Sequence, residues 1–229
     1  MPEPSFDEPL EALAALREPI RRRLYQYVAR QAAPVSRDEA AQAVGLSRAM
    51  AAFHLDKLEG LGLLRAEYRR LSGRTGPGAG RPAKLYQRSR REFAVTLPSR
   101  NHALLARLLV EAAASGSGDA PNRSGVAHRY GRSLGARARN RATRSAPGSL
   151  DGCVSDVLET VGFEPVESGD GDVWTRNCPF DPLSRRYPAV VCQTAIEFVG
   201  GVVDGVGASQ AQVVREPGPD RCCVTVRST

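Results

Sequence analysis

Five cysteines are the side chains with the most distinctive chemistry in this 229-residue sequence, and all lie in its last third. They are Cys153, Cys178, Cys192, Cys222 and Cys223. Cysteine thiolates ligate metal ions and iron–sulfur clusters and take part in redox reactions. The acidic, proline-rich start of the chain lacks the features of a secretory leader, so we expect a cytoplasmic protein. In that compartment, clustered cysteines favour metal binding or redox chemistry over a disulfide framework.

The residues around each cysteine indicate whether it packs in a core or belongs to a site. Cys153 falls on an apolar stripe with helical spacing between residues 150 and 161, so we interpret it as a small buried hydrophobe. Cys178 lies in a turn after a predicted strand. Cys192 lies in the first turn of a helix that Pro188 opens, where the missing N–H of proline costs nothing.

Cys222 and Cys223 are predicted on the last strand, where successive side chains point to opposite faces. Only one of them can then readily join a shared site, which leaves three converging thiolates and an open fourth position. Zinc sites usually contain CxxC-type knuckles, which are absent here, whereas widely spaced cysteines suit an iron–sulfur cluster. An oxygen of Asp181, three residues after Cys178, could be the fourth ligand. The candidate metal-ligating residues are Cys178, Cys192, Cys222 and Asp181.

The string NCPF…VVC…GGVVDGVG…P…CCV resembles the carboxy-terminal sensor of the SufR-like iron–sulfur repressors and their actinobacterial relatives. That resemblance implies a [4Fe–4S] cluster whose state controls DNA binding, with Cys178, Cys192 and Cys222 at ligand positions. Relatives often carry histidine where this chain has Asp181 and Tyr187. A zinc site, a thiol-oxidation switch and a plain core without a metal stay open as alternatives.

The first third of the chain carries the start and stop signals of successive short helices. Pro19 opens a helix that runs to about Arg30. The sequence Ser36-Arg37-Asp38-Glu39 is a capping box for a second helix, which Gly45 ends. Ser47 can cap the next helix at once. Two helices joined by so short a turn, with small residues at their contact, predict a helix-turn-helix.

The helix after Ser47 has one buried stripe and one face suited to DNA. Ala51, Leu55 and Leu58 form the buried stripe, and His54 lies at its edge, where we expect packing rather than base reading. Small residues on the other face let a helix enter the major groove, and Phe53 can touch a thymine methyl. The candidate DNA-binding residues on this helix are Ser47, Arg48, Ala49, Met50, Ala52, Phe53 and Lys57.

A basic hairpin follows the predicted helix-turn-helix. Residues 63–68 and 82–86 read as two strands joined by a glycine-rich tip, which is the pattern of a wing. Arg74 and Arg81 flank the tip and are the candidate wing contacts to the DNA backbone. A phosphate-binding nucleotide loop is excluded, because no GK[ST] motif and no helix follow the glycines.

The strings VGLSRAMAAFHLDKLEGLGLL and GRPAKLYQ resemble winged-helix regulators of the ArsR/DeoR-like type over residues 15–90. Charge agrees with a polyanionic partner. Residues 1–90 carry 16 basic and 10 acidic side chains, and residues 91–149 carry 10 and 3. Residues 150–229 reverse the balance, with 6 basic and 12 acidic side chains. The basic part is expected to meet DNA, and the acidic part to do something else.

These patterns predict an α+β protein with three regions. Residues 15–90 form a winged helix-turn-helix domain, residues 91–149 a helical linker and dimerisation region, and residues 150–229 an α+β cysteine-rich sensor domain. An amphipathic helix carrying Leu104, Leu105, Leu108 and Leu109 is the predicted dimerisation element, with ordinary packing as its alternative.

The predicted function is a cytoplasmic, homodimeric transcription regulator, a repressor by resemblance, that binds a double-stranded DNA operator under the control of the cysteine site. An enzyme is disfavoured, because the sequence contains no HExxH motif. A membrane partner is not expected, since no run approaches the roughly 18 apolar residues that span a bilayer.

Overall fold

The computed structural model describes residues 7–70, 82–115, 123–145, 150–208, 210–218 and 221–228. The chain divides into two compact units, Met1–Val95 and Thr96–Thr229, which we call the first and second units. Both units combine helices with an antiparallel sheet, so the α+β class predicted from the sequence is confirmed.

In its described residues the first unit has four helices and a three-stranded antiparallel sheet of order β1-β3-β2. The elements are α1 (Asp7–Ala15), α2 (Pro19–Arg30), β1 (Val35–Ser36), α3 (Arg37–Val44), α4 (Arg48–Gly60), β2 (Leu64–Arg69) and β3 (Ala83–Arg88). The predicted start at Pro19, the helix-turn-helix and the paired strands of the wing are therefore present.

Local signals explain why the first unit has these boundaries. The Ser36 hydroxyl accepts from the Glu39 N–H while the Glu39 carboxylate accepts from the Ser36 N–H, so the predicted capping box is formed. Gly45 ends α3 in the left-handed conformation, at φ 71°, where a side chain would be strained. Ser47 then caps α4, its hydroxyl accepting from the Met50 N–H at 3.2 Å.

The core of the first unit lies between its helices and its sheet. The predicted stripe of α4 is fully buried, with Ala51, Leu55 and Leu58 each 0% exposed. These side chains pack with Leu24 of α2 and Tyr86 of β3. Burial of the stripe fixes the rotation of α4, and the opposite face of the helix is left toward solvent.

The second unit wraps five helices and a four-stranded antiparallel sheet, of order β4-β5-β7-β6, around one core in its described residues. Its elements are α5 (His102–Ala114), α6 (Arg123–Ser145), α7 (Leu150–Val161), β4 (Pro165–Glu167), β5 (Val173–Thr175), α8 (Leu183–Arg186), α9 (Pro188–Val206), β6 (Gln212–Arg215) and β7 (Val224–Arg227). The helix predicted to open at Pro188 is α9, and it packs against every other helix of the unit.

Helices α6 and α9 touch through their main chains. A Cβ atom added at Gly131 or Gly135 of α6 would overlap the carbonyl oxygen of Phe198 or Val202 in α9. One added at Gly201 of α9 would overlap the carbonyl oxygen of His128 in α6 in the same way, and Gly205 makes the equivalent contact. Glycine is required here for close approach rather than for an unusual φ angle.

The central helix α9 is long and apolar enough to cross a membrane by length and composition alone. In this protein 61% of its apolar window is buried inside the second unit. Val199, Val202 and Phe198 are each fully buried in the core. The apolar composition of α9 is therefore explained by its central position among helices and sheet.

The middle of the chain differs from the predicted three-region organisation. The second unit begins at Thr96, so the segment 91–149 predicted as a linker contributes α5 and α6 to the core of that unit. Leu104, Leu105 and Leu108 are buried in that core. The leucine face of α5 is thus used within the chain and is not free to form a dimer.

Candidate nucleic-acid interface and cysteine site

Helix α4 presents an exposed face made of small and apolar side chains. Phe53 is 64% exposed and Met50 is 45% exposed. Ser47, Arg48, Ala49 and Lys57 are also exposed, and Ala52 is half-buried. Helices with short side chains can approach base edges in the major groove, and an apolar ring can contact a thymine methyl.

Arg48 is held at the start of α4 by an acidic neighbour. Its Nε lies 2.8 Å from Oδ1 of Asp38 in α3, and both side chains are about two-thirds exposed. Exposed ion pairs are worth about 1 kcal/mol or less, so a phosphate or a guanine edge can replace Asp38 at little cost. Asp38 therefore orients the Arg48 side chain, which can still exchange this partner for the predicted DNA contact.

Asp56, which the sequence places on the exposed side of α4, joins that helix to the wing. Its carboxylate accepts from Nη2 of Arg37 at 2.8 Å, from Nζ of Lys84 at 2.8 Å and from the hydroxyl of Tyr86 at 2.6 Å. Lys84 also bonds Glu59 at 3.0 Å. Because Lys84 and Tyr86 belong to β3, this network joins that wing strand to α4.

The electrostatics of this network follow from its hydrogen bonds. Burial acts to raise the pKa of Asp56, but the bonds from Lys84, Tyr86 and Arg37 outweigh it and hold that pKa below its usual range. Burial, followed by the bond to Asp56, raises the pKa of Tyr86 to about 12. At neutral pH the network therefore contains an ionised carboxylate and a neutral phenol.

His54 is buried, 7% exposed, and packs edge-on against Phe53 with ring centroids 5.2 Å apart. Its Nδ1 lies 3.7 Å from Glu18 and has no hydrogen-bond partner in the part of the chain that the structure describes. The packing role expected for His54 fits this position. The two predicted wing contacts, Arg74 and Arg81, lie outside the described residues.

The cysteine site of the second unit is built from two stretches of chain. Cys178 follows β5 in a turn, and its thiol lies close enough to that of Cys222 for the two to perturb each other. Cys222 is perturbed in the same way by its chain neighbour Cys223. The main chain brings them together, because the Cys222 N–H donates to the carbonyl oxygen of Thr175 at 2.8 Å.

The vicinal cysteines lie just before the last strand rather than in it, because β7 begins at Val224. Their main chain still pairs with both neighbouring strands. The Cys222 N–H donates to Thr175 of β5, and the Cys223 carbonyl oxygen accepts from the Glu216 N–H at 2.7 Å. The prediction that the two side chains point to opposite faces stays a prediction.

The thiols are held in their protonated form. The hydrogen bond to Cys222, and then burial, raise the pKa of Cys178. The bond from Cys178 acts to lower the pKa of Cys222, but the bond to Cys223 and burial outweigh it, so that pKa is raised as well. Crowded, buried thiols resist becoming thiolates unless a cation neutralises them.

Asp181 does not fit as a fourth ligand. Its two carboxylate oxygens accept from Nε and Nη2 of Arg185 at 2.6 and 2.7 Å, and Arg100 lies 3.6 Å away. A carboxylate gripped in this bidentate way has its charge already compensated. Asp181 therefore orders the loop that carries Cys178.

The thiols suit an iron–sulfur cluster in chemistry, since such clusters are held by cysteine thiolates. Cys178 and Cys222 lie close together, and Cys223 is the chain neighbour of Cys222. Cys192 is buried near the start of α9, and Cys153 is buried on α7. Among the described residues, no group of three or more His, Cys, Asp or Glu side chains is arranged to hold a metal ion.

Two residues that matter in this region were not predicted from the sequence. Asn177 and Arg100 hydrogen-bond to each other, 77 positions apart in the chain. Asn177 directly precedes Cys178 in the NCPF string, which is the one local signal that pointed to it. Arg100 lies in an ordinary polar turn before α5, where nothing in the sequence marks it.

Comparison with known proteins covers part of the first unit. Residues 16–67 match a family model described as a helix-turn-helix domain. The match spans α2, α3, α4 and the start of the wing, which are the elements that position the exposed face of α4. No curated protein and no solved structure matches the chain.

Proposed function

We propose that this protein is a transcription regulator that binds double-stranded DNA through α4 and the wing. The observation that carries the proposal is the exposed Met50 and Phe53 face on a helix whose other face is fully buried, within a matched helix-turn-helix. Such a face has no use in the core of the unit. It suits a binding protein rather than an enzyme, because it offers contacts and no paired acid, base or nucleophile.

In the proposed complex, α4 lies in the major groove with its first turn toward the bases. Ala49 and Ala52 allow close approach, and Phe53 contacts a thymine methyl. Arg48 exchanges Asp38 for a phosphate or a guanine edge. Arg74 and Arg81 follow the backbone beside the groove and supply affinity that does not depend on sequence.

Binding of the full chain to a duplex enriched from a random-sequence pool tests this proposal. Fluorescence anisotropy over a range of salt concentrations should show affinity falling steeply with salt. Arg74→Ala and Arg81→Ala should each lower the salt slope by about 1 for a lost phosphate contact. Parental binding by both variants at every salt concentration would refute the wing contacts. Failure to enrich any duplex would refute the proposed function.

The fuller proposal is a homodimeric repressor whose operator binding responds to an iron–sulfur cluster held by cysteines of the second unit. Cys178 and Cys222 would provide two thiolates, with Cys192 or Cys223 as the third. The adjoining thiols support this assignment through their chemistry and their burial. A bound cluster supplies a group that responds to iron and oxygen. The alternative is a regulator that responds to zinc or to thiol oxidation.

Anaerobic reconstitution tests the cofactor. Iron and sulfide per chain should be high in the parent and lost in Cys178→Ser and Cys222→Ser, whereas Cys153→Ser is the control that keeps them. Comparison of Cys192→Ser with Cys223→Ser identifies the third ligand. Full iron loading in Cys178→Ser would refute the site. Colourless protein with stoichiometric zinc would favour the alternative, and light scattering of the same samples reports the oligomeric state.

A further inference from the structure

The loop that carries Cys178 is fastened to the segment through which the chain enters the second unit. The Asn101 N–H donates to the carbonyl oxygen of Pro179 at 2.8 Å, and Nε2 of His102 lies 2.9 Å from the carbonyl oxygen of Asp181. Thr96 begins the second unit directly after Val95. Residues 96–102, which we call the entry segment, therefore follow directly on the first unit in the chain and are hydrogen-bonded to the cysteine loop.

Asn177 is the most buried polar part of this junction, at 7% exposure. Its Nδ2 donates to the carbonyl oxygens of Ser99 and Gly162, both at 2.7 Å. Its Oδ1 accepts from Nη1 of Arg100 at 2.5 Å. Both amide hydrogens and the amide oxygen are used, so the side chain has one arrangement that satisfies it. Breaking any of these buried bonds is costly.

Arg100 reaches the cysteine itself through the main chain. Its Nη1 also contacts the carbonyl oxygen of Cys178 at 3.4 Å, and its Nη2 lies 3.6 Å from Asp181. The Arg100 side chain is 21% exposed, so water competes weakly for these groups. A displacement of Cys178 must move its carbonyl oxygen. Arg100 contacts that oxygen and itself belongs to the entry segment, and Asn177 bonds Ser99 of the same segment, so both side chains pass the displacement on.

We propose that Arg100 and Asn177 form a clamp that couples the state of the Cys178 thiol to DNA binding by the first unit. This inference rests on the proposed DNA-binding function but not on the identity of the group that the cysteines hold. Both are positioning residues, since neither contacts DNA or a cofactor in the proposal. Coupling between two equilibria is reciprocal, so DNA binding must shift the conformational equilibrium of the Cys178 loop, and the reactivity of the thiol reports that shift.

The test measures alkylation of Cys178 by N-ethylmaleimide in the reduced, metal-free full chain, with peptide mass spectrometry to follow that site. The rate is compared with and without a duplex that the chain enriches from a random-sequence pool. Because alkylation follows the equilibrium fraction of chains whose Cys178 thiol is accessible, DNA should change the rate in the parent by about fivefold or more, the lower end of typical coupling. In Arg100→Gln, which lacks the clamp, the ratio of the two rates should approach one.

Arg185→Gln is the matched control, because Arg185 also pairs with Asp181 but is 80% exposed and makes no bond to the entry segment. It should keep the parental ratio. Arg100→Lys serves if Arg100→Gln fails to fold, since one ammonium group cannot span Asn177 and Asp181, and its ratio should fall as well.

Each outcome separates the coupling from DNA binding. A duplex that binds tightly but leaves the Cys178 rate unchanged overturns the coupling while the proposed DNA binding stands. A parental ratio in both Arg100 variants overturns the clamp. If no duplex is enriched, the proposed function fails and the coupling fails with it.

Discussion

The exposed face of α4 in the first unit and the cysteine site of the second unit are opposite kinds of site. The first is exposed on a helix whose orientation is fixed by a buried stripe, so a partner can meet it without any rearrangement of α4. The second is enclosed, with Cys222 and Cys223 5% and 9% exposed. The difference teaches that a partner can meet the exposed face directly, whereas a ligand of the thiols must first displace contacts inside the unit.

A large effect confined to the second unit is expected at the contact of α6 and α9. Gly201→Ala adds a Cβ against the carbonyl oxygen of His128, so the helices must move apart, at a cost of about 3 kcal/mol. Thermal unfolding should show two transitions. Gly201→Ala should lower the midpoint temperature of the second unit's transition and leave that of the first unit unchanged.

Gly200→Ala is the matched control for that change, because its nearest neighbour is 3.9 Å from the added Cβ. Alanine there should be neutral or should stabilise α9 by up to about 1 kcal/mol. Equal unfolding temperatures for the two variants would show that the close contact of α6 and α9 is not required.

Phe53→Ala tests whether the exposed face of α4 discriminates between bases. Since Phe53 is 64% exposed, the unfolding temperature should stay unchanged, while discrimination at one base position falls by about 1–3 kcal/mol. Competition with single-base variants of the enriched duplex measures this. A uniform loss across all duplexes would instead place Phe53 outside base reading. Leu55→Ala is the contrasting variant, which should destabilise the first unit by about 2–5 kcal/mol because Leu55 is buried.

A smaller effect is expected at Asp56, where the exposed face meets the wing. Asp56→Asn removes the ionised acceptor of Arg37, Lys84 and Tyr86, and should destabilise the first unit by about 1–2 kcal/mol, given its 42% side-chain exposure. Because the folded-state pKa of Asp56 is depressed, its contribution is present above the ordinary value of 3.8 and is lost as the pH falls below it.

Urea unfolding between pH 3 and pH 7 measures that contribution. The difference between parent and Asp56→Asn should be constant near neutrality and should shrink below about pH 4. A difference that persists unchanged at pH 3 would show that the carboxylate charge is not what joins α4 to β3.

The smallest effect concerns the enclosed site. In metal-free protein, Cys222→Ala removes the hydrogen bond that chiefly raises the pKa of Cys178. The alkylation rate of Cys178 at neutral pH should therefore rise severalfold, and its pH midpoint should move down. Cys153→Ala, on the apolar face of α7, should leave the rate at Cys178 unchanged. An unaltered pH profile in Cys222→Ala would mean that burial alone protects the thiol.

More of the first unit than of the second could be predicted from the sequence, and the reason is physical. Caps at Ser36 and Ser47, the end of α3 at Gly45 and the stripe of α4 are local, and the structure confirms them. Asp56 shows the limit, because its three partners come from other elements and no local pattern reveals them. The assignment of DNA contacts within α4 stays a prediction.

In the second unit the informative contacts are distant in sequence. The helix at Pro188 and the packing of Cys153 could be predicted from periodicity. The start of the last strand could not, because β7 begins at Val224, just after the cysteine pair. Nor could the role of Arg100, whose partner Asn177 is brought to it only by the folded core.

The glycine contact between α6 and α9 also has a mechanical consequence. At Gly131, Gly135, Gly201 and Gly205 main chain lies against main chain, so no change of rotamer at these positions can let the helices slide. This pair of helices is therefore a rigid part of the second unit. The loop that carries Cys178 comes before α8 and α9 in the chain. In the proposed coupling, a rigid core of this kind directs a displacement of Cys178 outward into the entry segment.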